Sequence, residues 1–269
     1  MIKIMSSNKY RAAVALLGGV LLLGTSAISF ADEARGLEIS KQRKAADTGW
    51  GDSEAAMRMI LRNAQGQESV REIRVKSLEV PNDGDKALTI FDVPRDVSGT
   101  AFLSFSKALE PDLQWIYLPA LKRVKRINSK NKSGPFMGSE FAFEDMTSFE
   151  LAKYTFNYVG DDTLDGRKTF IVEQIPQDEN SGYTRQKVWI DQEHYYVHQI
   201  EFYDRKDALL KILTLEDYRL YKDKYWRAMK SEMFNEQTYK STVLLVDDLK
   251  FDVGLQDDDF DSNKLRNVR

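Results

Sequence analysis

The chain holds two histidines, His194 and His198, four residues apart in the stretch EHYYVHQIEF. On a helix that spacing puts both rings on one face, where they could share a metal ion. The stretch alternates and leads into a hairpin, which favours a strand. Four residues of strand span about 13 Å, too far for one ion with ligands at about 2 Å. The acidic run DDDFD at 257–261 lacks the glycine and the terminal glutamate of a calcium loop. It reads as a solvated turn with Phe260 tucked inward. Glu140, Glu144 and Asp145 are the remaining acids with acid–base potential. An envelope hydrolase acting on lipids or glycans would use Glu144 or Asp145 as its acid. Acids beside a helix start are also favoured by the helix dipole alone. The chain has no G-x-S-x-G, no glycine-rich phosphate loop and no cysteine. The expectation is a protein without catalytic residues, metal or cofactor.

Two other stretches carry more information. LKRVKRINSKNK at 121–132 gathers Lys122, Arg123, Lys125, Arg126, Lys130 and Lys132 in an otherwise acidic protein. Lys122, Arg123, Lys125 and Arg126 are candidates for docking an anionic lipid headgroup or an acidic partner; a solvated strand and loop is the plain alternative. GPFMGSEFAFEDM at 134–146 then places three phenylalanines and two methionines in thirteen residues. Phe and Met suit an adaptable apolar surface. Phe136, Met137, Phe141, Phe143 and Met146 are candidates for a gate over an apolar cavity, hinged at Gly134 and Gly138; a fixed plug of core is the alternative.

The elements that must position these residues begin after a leader. Lys3, Lys9 and Arg11 precede the apolar run AAVALLGGVLLLG, and small residues frame Ala31. This reads as a secretory signal peptide, residues 1–31, cleaved near Ala31, and too short for a spanning helix. Three of the 39 basic residues lie in the leader, leaving 36 against 42 acids in residues 32–269. A net charge of −6 gives no overall basic field for nucleic acid. Residues 32–269 suit a single domain, exported to the periplasm and expected as a monomer.

Residues 32–47 read as a short helix, with Ala34, Leu37, Ala45 and Ala46 as its weak apolar side. After Gly51 the period becomes two. Runs rich in Val, Ile, Tyr, Phe and Trp alternate with turn clusters such as NAQGQ, PNDGD, PRDVSG, GDDTLDG, PQDENSG and DRKD. About a dozen strands in consecutive hairpins are expected, in an antiparallel sheet long enough to curl. The pattern breaks between Ile127 and Tyr154, where Thr147 and Glu150 fit a capping box opening a short helix or turn from Ser148 to about Lys153. TAFLSFS and LQWIYLPAL are apolar at both phases, so their strands need cover on both faces. Met57, Met59, Leu103, Phe105, Trp115 and Tyr117 are the candidate cavity walls.

QWIYLPALKRVKRI followed by GPFMGSEFAFEDM resembles the signature of a bacterial periplasmic family, the outer-membrane lipoprotein-sorting proteins. These are related in fold to the LolA lipoprotein carrier. REIRVKSLEV, FDVPRDVSGTAFLSF and VWIDQEHYYVHQIEFYD extend the resemblance over nearly all of the chain after the leader. It implies a mainly β fold: an incomplete, strongly curved antiparallel β-barrel, with a few helices lining or lidding an apolar cavity. It also implies a carrier that binds acyl chains of a lipid or lipoprotein and moves them across the envelope. Many members are encoded near exporters of the resistance-nodulation-division type, which implies an inner-membrane partner of that class. A structural accessory subunit of an envelope exporter, holding no ligand, is the alternative.

Overall fold

Alternating apolar residues between turn clusters produce one sheet in the structure, a computed structural model that describes residues 25–268. Most of the expected leader, residues 1–24, lies outside the described residues. The first element is α1 (Thr25–Ala46). Thirteen strands follow: β1 (Asp52–Arg62), β2 (Glu68–Leu78), β3 (Lys86–Val93), β4 (Ala101–Phe105), β5 (Leu113–Leu118) and β6 (Arg123–Arg126), then β7 (Tyr154–Leu164), β8 (Arg167–Pro176), β9 (Arg185–Asp191), β10 (Val197–Tyr203), β11 (Leu209–Tyr221), β12 (Tyr225–Asn235) and β13 (Ser241–Phe251). The strand order is β6-β5-β4-β3-β2-β1-β13-β12-β11-β10-β9-β8-β7, and each pairing is antiparallel. Two meanders therefore meet where β1 pairs with β13. Strand twist bends so long a sheet, and the result is a strongly curved, incomplete barrel whose edges are β6 and β7.

Residues 127–153 link the two edge strands. They contain only short 3-10 turns, at Ser129–Asn131, Phe136–Gly138, Phe143–Met146 and Leu151–Lys153. The expected capping box does not form. Thr147 ends the turn Phe143–Met146, and Glu150 instead accepts hydrogen bonds from Lys44 Nζ (2.9 Å) and Ser148 Oγ (3.0 Å). A tertiary ion pair has displaced the local cap.

The concave face carries two apolar clusters that share Ile200. One gathers Met59, Ile73, Phe91, Phe102, Ile116 and Met233 beneath Phe136 and Phe141. The other gathers Phe156, Val172, Val188, Ile190 and Val197 beneath Ile39 of α1. The expected apolar side of α1 is wrong. Leu37 and Ala45 are exposed, and the buried stripe is Gly36, Ile39 and Ser40. The reason is close approach: a Cβ at Gly36 would lie 2.8 Å from the backbone of Asn157 and Tyr158 on β7. A bare backbone, not a bulky side chain, fits there.

A third cluster occupies the convex face of β3–β5, where Leu88, Ile90, Ala101 and Leu103 pack under Phe260 and Leu265 of the C-terminal tail. The DDDFD turn is thus an acidic 3-10 turn, Asp257–Asp259, with Phe260 3% exposed behind it.

Candidate functional site

The Phe/Met segment lies on the concave face as part of residues 127–153. Phe136 is fully buried, with ring centroids 4.9 Å from Phe102, 5.7 Å from Phe143 and 6.0 Å from Phe91. Phe141 is buried, and Met137, Phe143 and Met146 pack half-buried around them. A bridge between Pro135 and Ala142 closes a small loop through Met137 and Gly138. Both of those residues are left-handed, at φ 52° and 75°. Gly138 has open space around it and meets a real backbone demand. Gly134 shows no positive φ, so only one of the two expected hinge glycines is conformationally special.

Polar contacts tie this segment to the strands at several points. Asp145 accepts from Ala142 N (2.7 Å), Tyr183 Oη (2.8 Å) and Lys211 Nζ (2.6 Å), and Lys211 also donates to the Glu140 carbonyl (2.9 Å). The Asp145 and Lys211 side chains are only 6% and 4% exposed. Glu144 accepts from Gly182 N and Ser181 Oγ, both at 2.8 Å, and burial pushes its carboxyl pKa up. Burial next to Asp145 raises the Tyr183 hydroxyl in the same way. Glu140 accepts from Asn235 Nδ2 at 2.8 Å, and Gln114 Nε2 donates to the Phe143 carbonyl at 2.8 Å. Glu140, Glu144 and Asp145 therefore all act as anchors of the segment.

The six candidate wall residues do not share a face. Met57 and Met59 line the concave cluster beneath Phe136. Leu103, Phe105, Trp115 and Tyr117 point to the convex side, against the C-terminal tail. Their concave neighbours are Phe102, Ile116 and Leu118. Both phases of these strands are apolar, and a shift of one residue exchanges the faces.

The basic residues sit on the edge. Lys122 occupies the turn before β6 with φ 48°, and Arg123, Lys125 and Arg126 are exposed on β6. The register splits them: Lys125 and Arg123 pair with Ile116 and Leu118, whereas Arg126 pairs with Trp115. A charged edge strand also resists unwanted strand addition.

His194 and Tyr195 lie in a turn, with Tyr195 at φ 60°, and the strand starts only at Val197. His198 Nε2 lies 3.2 Å from Asp191 Oδ2, and His194 faces Trp226 at 5.0 Å between centroids. The strand expected through His194 is thus shorter than its alternation suggests.

An apolar-walled cavity of about 410 Å³ lies between α1 and β10–β12. Ile200, Leu213, Leu215, Tyr218 and Trp226 form walls, and Arg43 of α1 faces it. Asp217, left-handed at φ 55°, kinks β11 so that Tyr218 joins Leu213 and Leu215 in the lining. None of the expected wall, gate or docking residues lines this cavity. The available signal was the i, i+3, i+7 stripe Gly36–Ile39–Arg43 on α1, which apolar content alone does not reveal. Among the described residues, no group of acidic or histidine side chains is arranged to hold a metal ion.

Comparison with known proteins places the chain. The model of a family described as "Uncharacterized protein" matches residues 83–267. An outer membrane lipoprotein-sorting protein domain from Vibrio parahaemolyticus is 60% identical, with TM-score 0.86, covering 87% of this chain and 99% of that one. A DUF1329 family protein from Desulfovibrio piger is 26% identical, with TM-score 0.82 and the same coverage. A LolA superfamily protein from Nitrosomonas europaea shares the fold at 17% identity, with TM-score 0.67, over 84% of this chain and 97% of that one. No curated protein sequence matches the chain.

Proposed function

The chain belongs to the DUF1329 family of lipoprotein-sorting-like proteins with the LolA-superfamily fold, and from that premise we propose that it is a non-catalytic periplasmic carrier of acyl chains. In this reading residues 1–31 are its export signal, residues 32–269 form one lipid-binding unit, and cargo is a lipid or the acyl part of a lipoprotein. Among the described residues no helix is long and apolar enough to cross a membrane.

One observation carries the proposal. The apolar concave face is roofed by separate elements, α1 and residues 127–153, with a cavity between α1 and β10–β12. Burial is worth about 0.8 kcal/mol per CH₂, so a sixteen-carbon chain represents on the order of 12 kcal/mol before entropy costs. A carrier must match that with apolar surface and still release its load. A roof held by polar contacts can be displaced without unfolding the sheet beneath. Phe136, Met137, Phe141, Phe143 and Met146 form the gate, with Met57 and Met59 as wall beneath it. Lys122, Arg123, Lys125 and Arg126 on the exposed edge are offered to a headgroup or to an inner-membrane transporter of the resistance-nodulation-division class.

Uptake of a fluorescent fatty acid tests this reading. The wild-type protein takes up the probe, and Phe141→Asp, if still folded by circular dichroism, loses most of that uptake. Unchanged uptake in a folded Phe141→Asp would remove the gate. A second reading, a ligand-free accessory subunit of an exporter, draws on the full burial of Phe136, which leaves the concave face beneath it filled. Co-purification with a transporter and no probe uptake would select it.

A further inference from the structure

Half-buried Arg43 carries, among the described residues, the one buried side-chain polar atom that lacks a hydrogen-bond partner. Its guanidinium stacks on Phe149, 3.9 Å from the ring centroid, which satisfies one flat face. The N–H edge is different: Nη1 is buried and has no acceptor. Other charged groups at this cavity have partners elsewhere. Asp47 accepts from Arg227 at 2.6 Å, and Lys224 donates to the Thr48 carbonyl at 2.6 Å. Asp85 accepts from Val80 N and makes no ion pair with Arg43. Burial lowers the Arg43 pKa to about 10, which still leaves it charged at neutral pH. A buried N–H without an acceptor is costly, and such a cost is retained where an incoming anion relieves it.

Resting on the carrier reading, we propose that the cavity between α1 and β10–β12 is a binding site for an acyl chain that ends in a carboxylate. The chain lies against Ile200, Leu213, Leu215, Tyr218 and Trp226, and the carboxylate meets the Arg43 guanidinium. The planar fork of arginine matches the two oxygens of a carboxylate in a bidentate contact. The free fatty acid, or a lipid with a terminal carboxylate, is therefore preferred over a neutral lipid of equal length. The basic residues of β6 have no part in this site, since none of them lines it.

The test uses protein expressed from the full chain, purified without detergent and delipidated. Laurate, dodecanol and acetate are titrated separately, with Trp50 and Trp226 at the cavity as reporters. Charge-assisted hydrogen bonds of about 1.5–3 kcal/mol predict that laurate binds at least about tenfold tighter than dodecanol, and that acetate binds weakly. Arg43→Gln erases the preference for laurate over dodecanol; Arg43→Lys keeps part of it. The melting temperature of delipidated Arg43→Gln is not lower than that of the wild type. Equal binding of laurate and dodecanol by the wild type would overturn the carboxylate site and leave the carrier reading standing, and this comparison needs no variant. A folded Arg43→Gln that keeps the preference would also overturn it. Failure of the wild type to bind either amphiphile would overturn both readings.

Discussion

At the scale of single residues, the most buried anchor of the roof is an ion pair. Lys211 and Asp145 meet at 2.6 Å with almost no exposure. Breaking such a pair from one side leaves a buried charge and costs about 3–5 kcal/mol. Asp145→Asn is predicted to lower the melting temperature by roughly 10 °C in a chain of this size. The double variant Asp145→Asn/Lys211→Met should recover much of that loss, because no uncompensated charge remains. Additive losses in the double-mutant cycle would show that the two residues act independently. Asp85 gives a pH prediction. Burial raises its carboxyl from the ordinary range to about 6. The folded state then holds its proton more tightly than the unfolded chain, so this residue favours folding at low pH. That contribution is lost as pH rises from about 4 to about 6. Asp85→Asn should flatten this part of the stability profile and raise stability at pH 7, by at most about 3 kcal/mol. A profile between pH 4 and 6 identical to wild type would refute it. At this scale the sequence was legible for Phe136 and Phe141, whose clustering marks them as special. It was misleading for Leu103, Phe105, Trp115 and Tyr117, because period two fixes which residues share a face but not which face is concave.

At the scale of elements, α1 and the C-terminal tail have the same task on opposite faces. α1 covers the concave side of β7–β9, and the tail covers the convex side of β3–β5. Gly36→Ala puts a methyl 2.8 Å from the β7 backbone, so α1 must shift. The variant should lose about 1–3 kcal/mol in denaturant melts, as overpacked sites do. A loss below a few tenths would mean that α1 is loosely seated. Phe260→Ala should cost about 3–5 kcal/mol, since a buried ring is replaced by a cavity under the tail; wild-type stability would mean that the tail does not seal this face. Thirteen strands emerge close to the dozen expected, because turn clusters and alternating branched or aromatic residues report hairpins directly. The capping box expected at Thr147 fails for a reason outside the local sequence: Glu150 is claimed by Lys44, more than a hundred residues away, and the turn forms later, at Leu151–Lys153. Likewise, the buried stripe of α1 follows from contact with β7, which residue hydrophobicity does not encode.

At the scale of the whole molecule, curvature follows from strand number and twist, and the need for cover follows from curvature. An open sheet of thirteen strands has an apolar concave face, and a single sheet cannot bury that face by itself. The chain solves this with non-strand segments, which leaves a roof separable from its walls. The break between Ile127 and Tyr154 was visible as a loss of period, and β6 and β7 end and begin at that break. The cavity beside α1 was not visible, since it forms from residues of α1, β10, β11 and β12 that the sheet order brings together. A carrier needs such a space, an accessory subunit does not, and the two accounts diverge in what the isolated protein contains. Native mass spectrometry of protein purified from the periplasm without detergent, followed by organic extraction, decides between them. The carrier account predicts an added stoichiometric mass that is recovered in the extract as an acyl lipid. A clean mass of the bare chain, with no lipid in the extract and no uptake of added fatty acid, would contradict it.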